Sequence, residues 1–406
     1  DLQSGISVNS EDRPIADDSE FGILKTSSVA DGVFKESENK KIVDEEITRA
    51  KLNPTENEII ISRMNTPQLV GESGYIDKTY PNLFVPDRLW QTITYAEKCH
   101  NRWLSYFLIT DRVRYNLKSI ATGTSGTMKN ISKPNFLSIK VNCPSLPEQQ
   151  KIASFLSAVD EKIQQLTKKK SLLEQYKKGV MQQLFPSTGS GQRSGQLRFK
   201  PARPAGGDEN LSADRHDGNP YPEWKEKKIS QVVTEVNERT IENNQFEVLS
   251  STKSGIVLQS EYFNKQVASS DSSNYKIVRK GMFSYRSMSD TGSFTFNIQN
   301  VIEIGIVSPA YPVFKVNENQ SAFYLYLTLN NSSHFKSQLL AMMEGGTRLA
   351  LGFSKFKKMI VHLPSFEEQQ KIATYLSSID TKIEAVNTQI TQTQTFKKGL
   401  LQQMFV

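Results

Sequence analysis

EQQKIASFLSAVDEKI, residues 148–163, returns 220 positions later as EQQKIATYLSSIDTKI, residues 368–383. Around these stretches, residues 144–185 align with 364–405 without a gap and share about 19 of 42 positions. Upstream the likeness thins. Gly126-Thr127 matches Gly346-Thr347, Phe136 matches Phe356 and Tyr106 matches Tyr326 at the same shift, while Arg63 with Arg286 and Pro86 with Pro309 need a shift of 223. A three-residue insertion therefore lies between. A period this long is not that of a solenoid and predicts two domains descended from one unit. The ends match closely and the upstream parts do not, which predicts two globular parts facing different targets and two helices doing one shared job.

The repeated segments read as helices. Ile152, Leu156, Val159, Ile163, Leu166, Lys170, Leu173, Lys177, Val180 and Leu184 are spaced by alternating fours and threes. The second copy gives Ile372, Leu376, Ile379, Ile383, Val386, Ile390, Thr393, Lys397, Leu400 and Met404. A heptad seam sustained for about five heptads needs a long partner, and the other copy supplies one. Ser145 stands three residues before Glu148 and Ser365 three before Glu368, the spacing of a capping box. Pro144 and Pro364 bar backward extension, and Pro147 falls in the first turn, where proline is tolerated. Each helix should run about 38 residues, or roughly 57 Å. Residues 186–220 are rich in Gly, Ser, Pro and charge and read as a flexible linker. That linker is long enough to return the chain along the first helix, so an antiparallel pair with globular parts at its opposite ends is expected.

With 406 residues, a formal charge of +7 and a pI near 9.1, the chain has room for two or three domains and suits a polyanionic partner. Its only cysteines are Cys99 and Cys143, which form no disulfide framework and suit a reducing cytoplasm. There is neither an apolar run long enough to span a membrane nor a signal-peptide pattern. A start at Asp1 suggests that a short N-terminal piece is missing. The histidines, His100, His216, His334 and His362, lack metal-ligand spacing, and Cys99-His100 reads as part of an amphipathic helix over about 96–110. No phosphate loop and no GxGxxG after a strand is found, and NPYP at 219–222 reads as a turn. Catalytic residues, metal ligands and cofactor sites are therefore all expected to be absent.

The pattern PSLPEQQKIASFLSAVDEKI … KKGVMQQLF, repeated as PSFEEQQKIATYLSSIDTKI … KKGLLQQMF, resembles the specificity subunit of type I restriction–modification systems. GTSGTMKNISKPNFLSIKVNCPS and GGTRLALGFSKFKKMIVHLPS upstream fit the same family. LRFK (197–200) and DGNPYPEW (217–224) resemble the lead-in to a second recognition domain, interrupted here by PARPAGGDENLSADRH, residues 201–216. The resemblance implies an α+β protein with two target-recognition domains in tandem, each followed by a long helix, the helices pairing as an antiparallel coiled coil. The boundaries would be 1–143 for the first recognition domain, 144–185 for its helix, 186–220 for the linker, 221–363 for the second recognition domain and 364–406 for its helix. The resemblance also implies a non-catalytic subunit that reads a split, asymmetric site in double-stranded DNA. It would hold two methyltransferase subunits, which use S-adenosylmethionine, and restriction motor–nuclease subunits. A free-standing bipartite DNA-binding protein, or a coiled-coil adaptor that binds no DNA, would share much of this pattern.

Base reading calls for Arg on guanine and for Asn or Gln on adenine, and phosphate contacts for Lys, Arg or small polar groups. The polar loop after the apolar run IIIS offers Arg63, Asn65 and Gln68, and the matching stretch FSYRSMSDTG offers Arg286, Ser287 and Ser289. A second loop pair offers Thr127 and Lys129 against Arg348. A third, KTSSVADG (25–32) against SSTKSG (250–255), adds Lys253. The Lys168-Lys169-Lys170 run reads as a solvated helix face.

Overall fold

The structure, a computed structural model, describes residues 1–95, 97–123, 127–185, 223–262, 271–342 and 349–405. The expected linker at 186–220 and Arg348 lie outside the described residues. Two compact units are present. The first comprises residues 1–168 and 386–406, the second residues 169–385. The fold is α+β, and the helices Leu146–Leu184 and Phe366–Met404, each 39 residues, contribute to both units.

In the first unit a six-stranded sheet runs in the order Leu2–Gln3, Leu89–Thr92, Ile59–Ser62, Ser73–Tyr75, Gly32–Phe34, Val29–Ala30. Its central strand carries three consecutive isoleucines because both faces are covered. Ile59 and Ile61 pack with Trp90, Val113, Leu117 and Ile131 on one face. Ile60 packs with Leu24, Val29, Ile76 and Leu89 on the other. Gly74 is required where two strands crowd, since a Cβ there would stand 2.7 Å from the backbone of Val33 and Phe34. The helices Asn101–Leu108 and Asp111–Ser119 follow. The first of these is shorter than the helix expected over 96–110. His100 caps it by accepting from the Trp103 N–H, which fixes its start. Cys99 and Cys143 lie together, and burial, with a contribution from the neighbouring thiol, pushes the Cys99 thiol up to about 11.

The second unit is built around a four-stranded sheet in the order Val233–Glu235, Val313–Val316, Phe283–Ser284, Asn297–Ile298. Its core is aromatic. Phe283 stacks on Phe314 at 4.9 Å between ring centres, and Phe296 stacks on Phe356 at 5.1 Å. The hairpin Leu249–Thr252/Gly255–Leu258 and the pair Lys276–Arg279/Ile304–Val307 flank this sheet, and the helices Ala322–Asn331 and Ser333–Met342 pack beside it.

The long helices pack together antiparallel, and each unit shows its own share of the pairing. In the first unit Leu156 is fully buried among Ile152, Leu400, Leu401, Met404 and Phe405, and Lys397 Nζ meets Asp160 Oδ1 at 2.6 Å. In the second, Val180 and Leu184 pack with Ile372, Leu376 and Ile379, and Lys177 Nζ meets Asp380 Oδ1 at 2.5 Å. The two ion pairs are one pair repeated at the 220 shift. Along the expected seam, Val159 is also buried, while Ile163 and Ile383 are half-buried.

The starts of the helices explain the repeated glutamines. Gln149 and Gln369 are each 1% exposed. Gln149 accepts from the His100 N–H at 2.8 Å and donates to the Pro144 carbonyl at 2.8 Å. Gln369 accepts from the Ser321 N–H at 2.9 Å and donates to the Pro364 carbonyl at 3.0 Å. Each thereby ties the cap of a short helix to the start of a long one. His100 and Ser321 are 221 apart, so a one-residue insertion lies between the caps and the long helices, and Tyr106 is displaced by one from the expected match with Tyr326. Of the two expected caps, Ser365 accepts from the Glu368 N–H at 3.3 Å. The Ser145 hydroxyl makes no such bond among the described residues, although its carbonyl accepts from the Gln149 N–H at 2.9 Å.

Candidate nucleic-acid interface

Each unit carries a two-stranded antiparallel ribbon beside its main sheet. In the first unit Met64–Asn65 pairs with Lys129–Asn130, and in the second Met288–Ser289 pairs with Leu349–Ala350. The same backbone bond fixes both ribbons. The Ile131 N–H donates to the Arg63 carbonyl at 2.9 Å, and the Leu351 N–H donates to the Ser287 carbonyl at 2.9 Å. Both partners are buried apolar residues, so each ribbon is anchored in its core at one end.

These registers correct one expectation. Arg63 and Arg286 do not hold the same place. The main-sheet strands Ile59–Ser62 and Phe283–Ser284 correspond through their partners, since Leu89 faces Ser62 and Val313 faces Ser284. From strand to ribbon the first unit takes one residue, Arg63, whereas the second takes three, Tyr285, Arg286 and Ser287. Arg63 lies over the Trp90 ring at 5.5 Å, and its Nε donates to Asn130 Oδ1 at 3.4 Å. Tyr285 takes the comparable inward place, 6.5 Å from the Phe314 ring. Arg286 belongs to the two extra residues and is exposed.

The first unit brings Arg63, Asn65 and Lys129 together on its ribbon. Asn65 is buried, and its amide is used within the loop: Nδ2 donates to Ser62 Oγ at 3.1 Å, and Oδ1 accepts from the Thr66 N–H at 2.8 Å. Lys129 is half-buried and donates to the Gly123 carbonyl at 3.1 Å. Gln68 and Thr127 are exposed. Inward-facing and outward-facing residues therefore divide the candidates. Arg63 and Asn65 shape the ribbon, and Gln68, Thr127 and Lys129 present polar groups outward.

In the second unit Lys253, Arg286 and Ser289 line one small cleft of about 140 Å³, completed by Asp290, Thr291, Ser293 and Thr295 among others. Among the described residues neither Lys253 nor Arg286 has a hydrogen-bond or ion-pair partner for its side chain. Ser287 is half-buried at the ribbon's start, and Ser289 is buried, its hydroxyl accepting from the Thr291 N–H at 3.3 Å. A buried network sets the hairpin that bears Lys253 beside this ribbon. Asn297 Nδ2 donates to Ser251 Oγ and to the Thr252 carbonyl, both at 2.8 Å, and Ser251 Oγ donates to the Ser284 carbonyl at 3.1 Å. Tyr285 donates its hydroxyl to the Leu351 carbonyl at 3.2 Å, and burial raises its pKa above the usual range, so it stays a neutral donor. Asp290, Thr291, Ser293 and Thr295 were not singled out from sequence. The polar run SMSDTGS after an apolar strand was the available signal.

Among the described residues no group of three or more His, Cys, Asp or Glu could hold a metal ion, and no helix is long and apolar enough to cross a membrane.

Residues 13–175 and 221–394 match the family model described as type I restriction modification DNA specificity domain. The specificity subunit of the type I restriction enzyme EcoEI from Escherichia coli is 23% identical over 153 residues, 38% of this chain and 26% of that one. The MjaVIII specificity subunit from Methanocaldococcus jannaschii is 25% identical over 307 residues, 70% of this chain and 65% of that one. The chain thus spans about a quarter of the first relative's length and just under two thirds of the second's. The crystal structure of a type I restriction-modification S subunit from M. genitalium has the same fold, with a TM-score of 0.54 at 14% identity over 100% of this chain and 93% of that one.

Proposed function

The chain belongs to the family of type I restriction modification DNA specificity domains, and from that premise we propose that it is the non-catalytic DNA-reading subunit of such a system. Each unit reads its own part of a split, asymmetric target in double-stranded DNA. The paired helices serve as the common platform for two methyltransferase subunits, and motor–nuclease subunits join the methyltransferases for restriction. The methyl donor, S-adenosylmethionine, belongs to the methyltransferases.

One observation carries this reading. What repeats and what differs fall in different places. The helix ends repeat their contacts, Asp160 with Lys397 as Asp380 with Lys177, and Gln149 with His100 as Gln369 with Ser321. The ribbons keep their backbone pairing but differ in the polar side chains in and beside them, with Arg63, Gln68, Thr127 and Lys129 in the first unit, and Arg286, Ser287, Ser289 and, on the neighbouring hairpin, Lys253 in the second. A shared partner on the helices and unlike sequences at the ribbons is the arrangement that follows.

The test is selection from randomised duplexes by the full chain co-expressed with its methyltransferase. A bipartite, asymmetric consensus is expected, with affinity falling steeply as salt rises. The chain alone, incubated with DNA and S-adenosylmethionine, should leave the DNA unmethylated. An uninterrupted or absent consensus, or methyl transfer by a preparation shown free of methyltransferase, overturns the proposal.

A further inference from the structure

We propose that the first unit carries an open receptor for an added β-strand, and that its occupant is an extended peptide bearing an indole and, two and four residues on, carboxylates. The second unit shows the receptor filled. There Lys225–Lys228 pairs antiparallel with Ile360–Leu363, so that Glu226 faces His362 and Lys228 faces Ile360. Trp224, just ahead of that strand, packs edge-on against Tyr324 at 6.0 Å between ring centres, and Tyr324 lies 5.9 Å from Phe185. Beside this strand Val361 and Leu363 are buried.

The first unit repeats the receptor without the strand. Residues 140–143 stand at the 220 shift from Ile360–Leu363. Trp103 takes the place of Tyr324, since each donates its N–H to the cap of its short helix, and it meets Phe405, the repeat of Phe185, at 5.7 Å. Among the described residues, 140–143 belong to no strand and make no backbone hydrogen bond. Val141 is 37% exposed where its repeat Val361 is 1%. Beside these residues lies a cavity of about 480 Å³, lined among others by Trp103, Phe107, Arg112, Lys140, Asn142 and Phe405. Unpaired N–H and C=O groups along an edge bind an extended peptide by strand addition, and a neighbouring cavity then selects among side chains.

Charge selects the occupant. Arg112 and Lys140 are exposed, and among the described residues neither side chain has a hydrogen-bond or ion-pair partner. In the register of the second unit, counting from tryptophan, the third residue of an added strand faces Asn142 and the fifth faces Lys140. Residues two apart share one face of a strand, here the face toward the cavity. A carboxylate at the fifth position meets Lys140, whereas a cation there opposes it. The pattern is therefore Trp-x-acid-x-acid. A second copy's Trp224–Lys228 segment is a poor occupant, because its Lys228 would face Lys140 and its strand is already paired in its own unit.

The probe is the peptide EWKEKEISQ, residues 223–231 with Lys228→Glu, added to the full chain. It should bind one to one and slow hydrogen exchange at residues 140–143, leaving 360–363 unchanged. Alanine in place of its tryptophan should weaken binding about 30-fold or more, the loss of an aromatic anchor. The natural sequence EWKEKKISQ should bind about 5-fold more weakly than the probe, and Lys140→Ala in the chain should abolish that difference. Because Lys140 is exposed, this variant should melt with the parent. The proposal fails if the probe at about 1 mM gives no protection at 140–143. It fails equally if free tryptophan gives the same protection, which assigns a small-molecule cavity. A dimer of the chain that protects 140–143 without any peptide assigns the site to a second copy and likewise overturns it.

Discussion

Replacing the buried glutamines with leucine removes their hydrogen bonds while keeping most of their volume. At Gln369 the loss leaves the Ser321 N–H and the Pro364 carbonyl without their partner, and also removes a bond of 3.0 Å to Gln320 Oε1. At Gln149 it leaves the His100 N–H and the Pro144 carbonyl. An orphaned buried polar group costs about 1–3 kcal/mol, so two at each site give about 2–6 kcal/mol. Pro364 is buried and Pro144 only half-buried, so water relieves the Gln149 site more readily. Gln369→Leu should therefore cost more than Gln149→Leu. Chemical denaturation of the full chain should show the affected transition moved to lower denaturant with an unchanged slope. Hydrogen exchange should localise the effect, with faster exchange at the Ser321 amide in one variant and at the His100 amide in the other. If both variants unfold within about 0.5 kcal/mol of the parent, the range of an ordinary surface change, and both amides keep their protection, the glutamines do not clamp the helices.

Leu376, fully buried in the second unit, should cost about 2–5 kcal/mol as Leu376→Ala, while Leu172→Ala at an exposed position of the first long helix serves as a near-neutral control; equal melting of the two would refute burial of the seam. Half-buried His334, facing His362, whose Nε2 is 2.9 Å from Glu226 Oε1, has its pKa held below 6.5, first by burial and then by His362. The unfolded chain takes up this proton first as the pH falls, so the second unit should lose stability below about pH 6.5 until the folded-state histidine also protonates. His334→Gln should flatten that slope in a titration of melting temperature, and a parent with no slope there refutes the assignment.

The long helices were legible in sequence because their determinants are local and periodic. Heptad spacing marks the seam from Ile152 to Leu184 and from Ile372 to Met404, and a proline stands before each start. The duplication was legible for the same reason, since an ungapped repeat is visible without any fold. The short helix over Asn101–Leu108 was less so, because its start depends on where His100 can cap rather than on the apolar pattern that runs through it.

The ribbons show where sequence reasoning stops. Matching Arg63 to Arg286 treated two polar loops as equal in length. Ladder registers place two extra residues in the second unit, which turns one arginine into packing over Trp90 and leaves the other exposed. Lys253 and Arg286 are 33 residues apart, and the buried bonds from Ser251 to Ser284 and from Asn297 to Ser251 and Thr252 bring their segments to one cleft. The EQQ repeat was visible, but not that its first glutamine reaches back to His100 or Ser321, 49 and 48 residues away. Sequence by itself determined the elements whose hydrogen bonds close within one helical turn, together with the face each buries. The tertiary structure alone decided which distant polar groups meet, because a buried donor takes its partner from whatever the packed core brings within about 3 Å.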